Sequence, residues 1–251
     1  RFAGILLSRC MPSYLPSSFS RTGAWSISNE HHYHFDNGLA EAIVSLVGQH
    51  ATVLDLGAGT GHYVRHMRAR GLIADGVDGV RNIGELSGGL VSFRELTVPF
   101  GAGCSQYDWA MSLEVGEHIP SRFEASVIRN LHAHNCRGII LSWAYLGKYG
   151  VGHVNNHGSA YLVKIFDELG YDFNEKASQR LRANRNKRDG MVPPVPIPMA
   201  VRREYKMGQR SVLGMRNVSR AWFWLTSVHV FERRVPLEGN GCTRAEGSWA
   251  G

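Results

Sequence analysis

Short apolar runs alternate along the chain with segments whose apolar residues recur every three or four positions. The first helical segment spaces Leu39, Ile43, Leu46 and Val47 at such intervals, and the mostly apolar stretch at residues 53–56 that follows it is predicted to be a buried strand. This alternation predicts a parallel sheet covered by helices.

The same pattern continues towards the C-terminus. Ser121 and Glu124 stand at capping-box spacing at the start of a predicted helix that stops before Gly138. The other predicted elements are a helix at 62–70, a strand at 109–113, a fifth strand at 138–144, a helix at 159–169 and a last strand at about 224–233.

A glycine-rich turn, within the segment VLDLGAGTGHYV (residues 53–64), follows the first predicted strand. Glycine permits positive φ and close backbone approach, so the turn is shaped for contact with a ligand. A dinucleotide fingerprint would need a glycine where His62 stands. Asp55 lies just before the glycines, where a carboxylate would repel a phosphate but pair with an ammonium group. These residues therefore favour a zwitterionic, phosphate-free cofactor.

The pattern D-x-G-x-G-x-G at residues 55–61 resembles the first motif of the class I S-adenosylmethionine-dependent methyltransferases. The resemblance implies a doubly wound, Rossmann-like α/β domain whose seven strands are mostly parallel, with the last strand antiparallel. It also implies S-adenosyl-L-methionine as cofactor, with the glycine turn against its methionine part.

Two acids follow at positions suited to the rest of that cofactor. Asp78 lies 23 residues after Asp55, at the end of the second predicted strand, where a carboxylate can accept from both ribose hydroxyls. Asp75 is an alternative candidate for the contact with the ribose hydroxyls. The segment VSFRELTVPF at 91–100 looks like the family's third strand and adenine loop, which makes Glu95 the candidate for the adenine amino group.

The segment YDWAMSLEVGEHIP at 107–120 is similar to the fourth strand of many small-molecule and lipid methyltransferases. Asp108 is expected to be a structural residue at the start of that strand. Ligands of open α/β sheets bind outside the carboxyl ends of the strands, so four segments are predicted to converge there. The implied cofactor-binding residues are Asp55, Gly57, Ala58, Gly59, Thr60, Gly61, Tyr63, Asp78, Gly79, Glu95, Leu96, Leu113, Glu114 and Val115.

The acceptor side is predicted from the loop GKYGVGHVNNHG at 147–158. The loop is either an ordinary crossover or the wall of an acceptor pocket, with His153, Asn155 and Asn156 as contacts. Methyl transfer needs a base only when the acceptor must lose a proton. His118 and His153 are the candidate catalytic residues, although His118 can equally be a packing residue. The predicted substrate-binding residues are Tyr33, Glu117, His118, His153 and Asn155.

Histidine and cysteine spacing predicts no metal site. His31, His32 and His34 could bind a metal, but no matching carboxylate or cysteine spacing accompanies them, so they are interpreted as a polar segment near the cofactor mouth. The four cysteines, at positions 10, 104, 136 and 242, show no CxxC spacing. That spacing predicts neither a metal knuckle nor a disulfide framework and is compatible with a reducing compartment.

Positive charge is concentrated at 176–220, where 12 Lys or Arg stand against 2 acids. The net charge of the chain is +7, so the remaining residues are acidic overall. This insertion is either a solvated, partly disordered loop or a patch for an anionic substrate, a membrane surface or nucleic acid. No aromatic residue lies between 176 and 203, which disfavours base stacking.

The chain is predicted to form one domain over residues 29–235, with a tail at 236–251. Residues 1–28 are interpreted as either a targeting remnant or the start of a truncated chain. No apolar run approaches the roughly 20 residues that cross a bilayer, and a cytoplasmic location is expected.

The predicted function is methyl transfer to an unidentified small-molecule or lipid-like acceptor. One alternative is a non-catalytic binding module that keeps this fold and acts through its basic surface. The other is a nicotinamide-dependent oxidoreductase, which His62 disfavours.

Overall fold

A seven-stranded sheet forms the centre of the computed structural model, which describes residues 20–25, 35–100, 107–183 and 227–237. In chain order the strands are β1 (Thr52–Leu56), β2 (Ile73–Asp78), β3 (Val91–Phe93), β4 (Tyr107–Leu113), β5 (Asn135–Ser142), β6 (Tyr171–Phe173) and β7 (Val228–Arg233). Their order across the sheet is β3-β2-β1-β4-β5-β7-β6. Strands β1 to β5 pair in parallel, whereas β7 is antiparallel to β5 and β6. The predicted fold class, a doubly wound α/β sheet with an antiparallel last strand, is confirmed.

Helices cover both faces of the sheet. They are α1 (Asn37–Val47), α2 (His62–Ala69), α3 (Ile83–Leu86), α4 (Glu124–Ala133), α5 (Ser159–Glu168) and α6 (Glu175–Ala183). Successive strand side chains point to opposite faces. Val53 accordingly packs with α1, α2 and α6, while Leu54 packs with α4 and α5. The sheet is therefore buried on both sides, as its apolar strands predict.

Local capping explains where two of the helices begin and end. The Asp36 side chain accepts a hydrogen bond from Leu39 N at 2.9 Å and caps α1. The predicted capping box of α4 is wrong, because Ser121 lies in a 3₁₀ turn and α4 has no side-chain cap. Asn135 donates to Leu131 O at 2.8 Å and is fully buried. It closes α4, and β5 therefore starts at Asn135, before the predicted Gly138.

Asp108 holds the amino ends of β4 and β1 together. Its Oδ2 accepts hydrogen bonds from Thr52 N at 2.8 Å and Thr52 Oγ1 at 3.0 Å, and the residue is fully buried. These contacts lie at the edge of the sheet opposite to the strand tips. Asp108 thus has the structural role that its position predicted.

The start of the basic segment is part of the folded domain. Residues 176–183 belong to α6, whose Ala177 and Leu181 are buried in the core beside α1. The interpretation of the whole segment as a loop is therefore wrong for these eight residues, since residues four apart share one helix face. Residues 184–220 lie outside the described part.

Three further findings concern the remaining predictions. Residues 1–19 and the tail from 238 lie outside the described residues, as do Tyr33 and the histidine cluster at 31–34. Cys136 is disulfide-bonded, which cysteine spacing did not predict. Within the described ranges, no helix is both long and apolar enough to span a bilayer.

Candidate functional site

The order of the strands reverses between β1 and β4, which are neighbours in the sheet centre. Ligands of open α/β sheets bind outside the carboxyl ends of the strands at such a switch point. The residues that follow β1 and β4, 57–61 and 114–118, border this crevice. The topology thus brings the glycine turn and the fourth-strand motif to one edge, as predicted.

The glycine turn after β1 is held against the end of β2. Gly57 N and Ala58 N donate to Val77 O at 2.8 and 3.1 Å. Gly57 has φ +84°, and a Cβ placed on it would lie 2.4 Å from Val115 Cγ2. Glycine is therefore required here by the protein's own Val115 as well as by backbone geometry.

Asp78, the last residue of β2, supports the same turn. Its Oδ2 accepts from Gly59 N and its Oδ1 from Val80 N, each at 2.9 Å. Burial raises the pKa of this carboxyl, and the hydrogen bonds from Val80, Gly59 and Gly79 oppose that rise. Each carboxylate oxygen has a second lone pair for a ligand hydroxyl.

The competing acid, Asp75, faces elsewhere. Its two carboxylate oxygens accept from Arg68 Nη2 at 2.8 Å and from the Tyr107 hydroxyl at 3.0 Å. Tyr107 begins β4, so these contacts lie towards the amino edge of the sheet. Between the two acids, the geometry favours Asp78 for a ligand in the crevice.

Asp55 lies on β1 just ahead of the turn and is 3% exposed. Burial first, and the charge of Asp78 second, raise the pKa of Asp55 to about 8. A cationic ligand group would stabilise its ionised form. The buried Tyr63 accepts a hydrogen bond from Asp36 N at 3.2 Å and so links the starts of α2 and α1.

Glu95 contacts hydroxyl groups on both sides. Its carboxylate accepts from Thr97 Oγ1 at 2.9 Å and Thr22 Oγ1 at 3.2 Å. Thr22 belongs to residues 20–25, which pack near the crevice, with the Trp25 and His118 ring centroids 5.5 Å apart. The sequence analysis did not predict the contact of residues 20–25 with the crevice. The one sequence signal for it is Trp25, an aromatic residue in a polar segment.

Glu114, directly after β4, has a positive φ of 54°, which is uncommon for a residue with a side chain. Its Oε2 lies 2.7 Å from Lys148 Nζ, and its Oε1 accepts from Ser227 Oγ at 3.3 Å. The Lys148 side chain is only 6% exposed. Sequence reasoning missed this lysine because a buried ion pair in a polar loop has no local signature.

Glu117, His118 and His153 come together beside this pair, and their possible metal-ligand atoms all lie within 4.8 Å of one another. Glu117 is fully buried, and neither of its carboxylate oxygens has a hydrogen-bond partner among the described residues. Burial, followed by the charge of Glu114, raises the pKa of Glu117 well above its usual range.

The two histidines are neutral bases with fixed rings. Burial lowers the pKa of His118 to about 3 and also lowers that of His153. Nδ1 of His118 donates to Gly152 O and Nδ1 of His153 to Lys148 O, each at 3.3 Å. Burial thus takes His118 out of the pKa range near neutrality that makes a histidine an effective base.

The loop 147–158 packs on the tip of β4, since Val154 N and Asn155 N donate to Glu117 O at 2.8 and 3.0 Å. Asn155 is buried, and its Nδ2 donates to Glu124 Oε2 at 2.9 Å. His157 and Tyr161 bind the same carboxylate. This network, which sequence reasoning missed, anchors the loop.

A cavity of about 210 Å³ opens in this loop. It is lined by Gly147, Lys148, Tyr149, Gly150, His153 and Asn156. His153 thus faces both the cavity and His118, whereas Asn156 donates to Lys148 O at 2.7 Å.

No protein-family model matches the chain, and no curated protein matches it. Among solved structures, it is similar to magnesium protoporphyrin IX methyltransferase from Synechocystis PCC 6803, at 18% identity and TM-score 0.47, over 78% of this chain and 76% of that one. It is similar to 1,6-didemethyltoxoflavin-N1-methyltransferase from Burkholderia thailandensis at 15% identity and TM-score 0.45, over 80% and 79%. The YcgJ protein of a Bacillus species is similar at 12% identity and TM-score 0.46, over 80% and 99%. These similarities are too distant to identify the activity, which is therefore inferred from the residues of the crevice.

Proposed function

We propose that this protein is an S-adenosyl-L-methionine-dependent methyltransferase that acts on a small molecule. The observation that carries the proposal is the pair of buried acids, Asp55 and Asp78, on either side of the glycine turn at the switch point. Two buried carboxylates disfavour a phosphate and suit a ligand with a cationic group and two hydroxyls. This argument also disfavours a nicotinamide dinucleotide.

Each part of the cofactor has a matching group. Asp55 and the glycine turn would hold the methionine part, Asp78 the ribose hydroxyls, and Glu95 and Leu96 the adenine end. Leu113, Glu114 and Val115 would close the crevice from the β4 side. The reaction is an in-line displacement, in which an acceptor lone pair attacks the methyl carbon, the carbon–sulfur bond breaks and S-adenosylhomocysteine leaves. The protein mainly supplies position and orientation.

The acceptor would bind beside the cofactor methyl, against His153 and the loop 147–158. Burial lowers the pKa of both His118 and His153, which suits hydrogen bonding to the acceptor better than removal of its proton. Asn155 and Tyr33 remain predicted acceptor residues. The Asn155 bond to Glu124 adds a structural role to that prediction.

Cofactor binding tests the proposal directly. Isothermal titration calorimetry should show binding of S-adenosylhomocysteine and none of NAD. Asp78→Ala should weaken that binding by about 1.5–3 kcal/mol, the range for hydrogen bonds to charged groups. Asp75→Ala is the matched control and should leave the dissociation constant unchanged. Binding of NAD alone, or an Asp78→Ala variant with wild-type affinity, would contradict the proposal.

Turnover tests the acceptor side. Extracts screened with labelled cofactor would supply an acceptor. His153→Ala should then lower methyl transfer while the affinity for S-adenosyl-L-methionine stays near wild type. A wild-type transfer rate in this variant would make the loop an ordinary crossover.

A further inference from the structure

We propose that Glu117, His118 and His153 bind a divalent transition-metal cation. Glu117 and His118 lie in the turn after β4, and His153 comes from the loop after β5. Their ligand atoms all lie within 4.8 Å of one another. Metal–ligand bonds of about 2.0–2.2 Å would draw the three side chains together by an ångström or two. The two neighbouring strands thus assemble a ligand set that is scattered along the chain.

The burial of the Glu117 carboxylate is a second line of evidence for a ligand, independent of the geometry of the cluster. The residue has no exposed surface, and both of its oxygens lack a hydrogen-bond partner in the described part of the chain. The nearby Glu114 carboxyl adds negative charge, which raises the pKa of Glu117 further. Buried polar atoms are normally paired, and an unpaired one is costly. A cation in contact with these oxygens would satisfy them.

The histidine rings are held as metal-binding histidines usually are. In each ring Nδ1 donates to a backbone carbonyl, that of Gly152 for His118 and that of Lys148 for His153. Such a bond fixes the tautomer and leaves Nε2 as the ring nitrogen that can accept a metal ion. A Cβ on Gly150 would lie 2.1 Å from His153 Nε2, so glycine is needed there for this ring position.

The surrounding charges are compatible with a cation. The charge of Lys148 acts on all three residues of the cluster, and its ammonium group is paired with Glu114 at 2.7 Å. Burial and then the charge of Glu114 raise the pKa of Glu117, and the smaller effect of Lys148 lowers it. Two imidazoles with one carboxylate form a ligand set typical of Zn²⁺, Fe²⁺ and related ions, whereas Ca²⁺ and Mg²⁺ prefer oxygen ligands.

If the protein is a methyltransferase, as proposed above, the cation would take part in the reaction. Three protein ligands leave coordination positions open, and a metal there can bind an acceptor oxygen and lower its pKa. The inference thus narrows the acceptor to a molecule with a metal-binding oxygen. The metal site itself does not depend on the methyltransferase proposal.

The test measures the binding of Zn²⁺ and Co²⁺ to untagged, chelator-treated protein by calorimetry and by the Co²⁺ absorption spectrum. We expect one equivalent of Zn²⁺ per chain. Glu117→Gln and His153→Ala should each weaken its binding at least tenfold while the far-ultraviolet circular dichroism stays native. His50→Ala is the control, because His50 is exposed and precedes β1 at the opposite edge of the sheet.

Three results would overturn the metal site. In the first, the wild type does not bind Zn²⁺. In the second, Glu117→Gln and His153→Ala both bind Zn²⁺ with wild-type affinity. In the third, His32→Ala loses Zn²⁺ binding while His153→Ala retains it. If both cluster variants misfold, X-ray absorption at the zinc edge of the wild type decides, since absence of imidazole scattering would refute the site. Binding of S-adenosylhomocysteine is measured separately on the metal-free protein. Failure of the metal site and failure of the cofactor proposal are therefore distinguishable.

Discussion

Gly57→Ala should destabilise the protein through two separable effects. The first is backbone strain, because φ at Gly57 is +84°, and a left-handed conformation costs a residue with a Cβ about 1–2 kcal/mol. The second is overpacking, because the new Cβ would lie 2.4 Å from Val115 Cγ2, and such crowding typically costs about 1–3 kcal/mol. The expected loss in the free energy of unfolding is therefore about 2–5 kcal/mol.

Two further variants separate these effects. Gly71→Ala has a similar φ of +86° and no atom within 4 Å of the new Cβ, so it should lose only about 1–2 kcal/mol. Adding Val115→Ala to Gly57→Ala should relieve most of the crowding, because only Val115 Cβ, at 3.2 Å, then remains near the new Cβ; the expected coupling energy is about 1–3 kcal/mol.

Urea unfolding, followed by circular dichroism, measures these three variants and Val115→Ala alone. Additive effects of Gly57→Ala and Val115→Ala would refute the close packing of the β1 and β4 turns. Equal losses in Gly57→Ala and Gly71→Ala would refute it as well.

Three other predictions concern buried charges. Because the pKa of Asp55 is raised to about 8, its contribution to stability is present at low pH and is lost as the pH rises towards that value. Asp55→Asn should therefore flatten the decline of the unfolding free energy between pH 5 and pH 8. An unchanged slope would contradict this. Lys148→Met leaves the partly buried Glu114, whose side chain is 19% exposed, without its cation and should cost about 3–5 kcal/mol in urea unfolding. Lys148→Met with Glu114→Gln should recover part of that loss; no recovery would show that the pair is not the cause. Asp108→Ala leaves Thr52 N without its acceptor and should cost about 1–3 kcal/mol, while calorimetry should find S-adenosylhomocysteine binding unchanged, and a weakened affinity in a folded variant would give Asp108 a role at the site.

The elements with strong local signals were predictable. The spacing of Leu39, Ile43 and Val47 indicated α1, and the apolar run before Gly57 indicated β1. Boundaries were predicted less well, because Asn135 ends α4 through a hydrogen bond to Leu131, which no propensity reveals. The helix α6 was missed because its charged residues obscure a short buried face made by Ala177 and Leu181.

The sequence by itself determined the βα alternation, the bare glycine turn and the acids at the strand ends, because burial and backbone conformation act on neighbouring residues. Only the tertiary structure decided which side chains share a site. His153 meets His118 across 35 positions because β4 and β5 are adjacent strands whose carboxyl ends open on one edge. Whether Lys148 is buried beside Glu114 or lies in solvent likewise depends on long-range packing. A carboxylate such as Glu117 loses its hydrogen-bond partners only when distant elements exclude water from it, and that exclusion has no trace in local sequence.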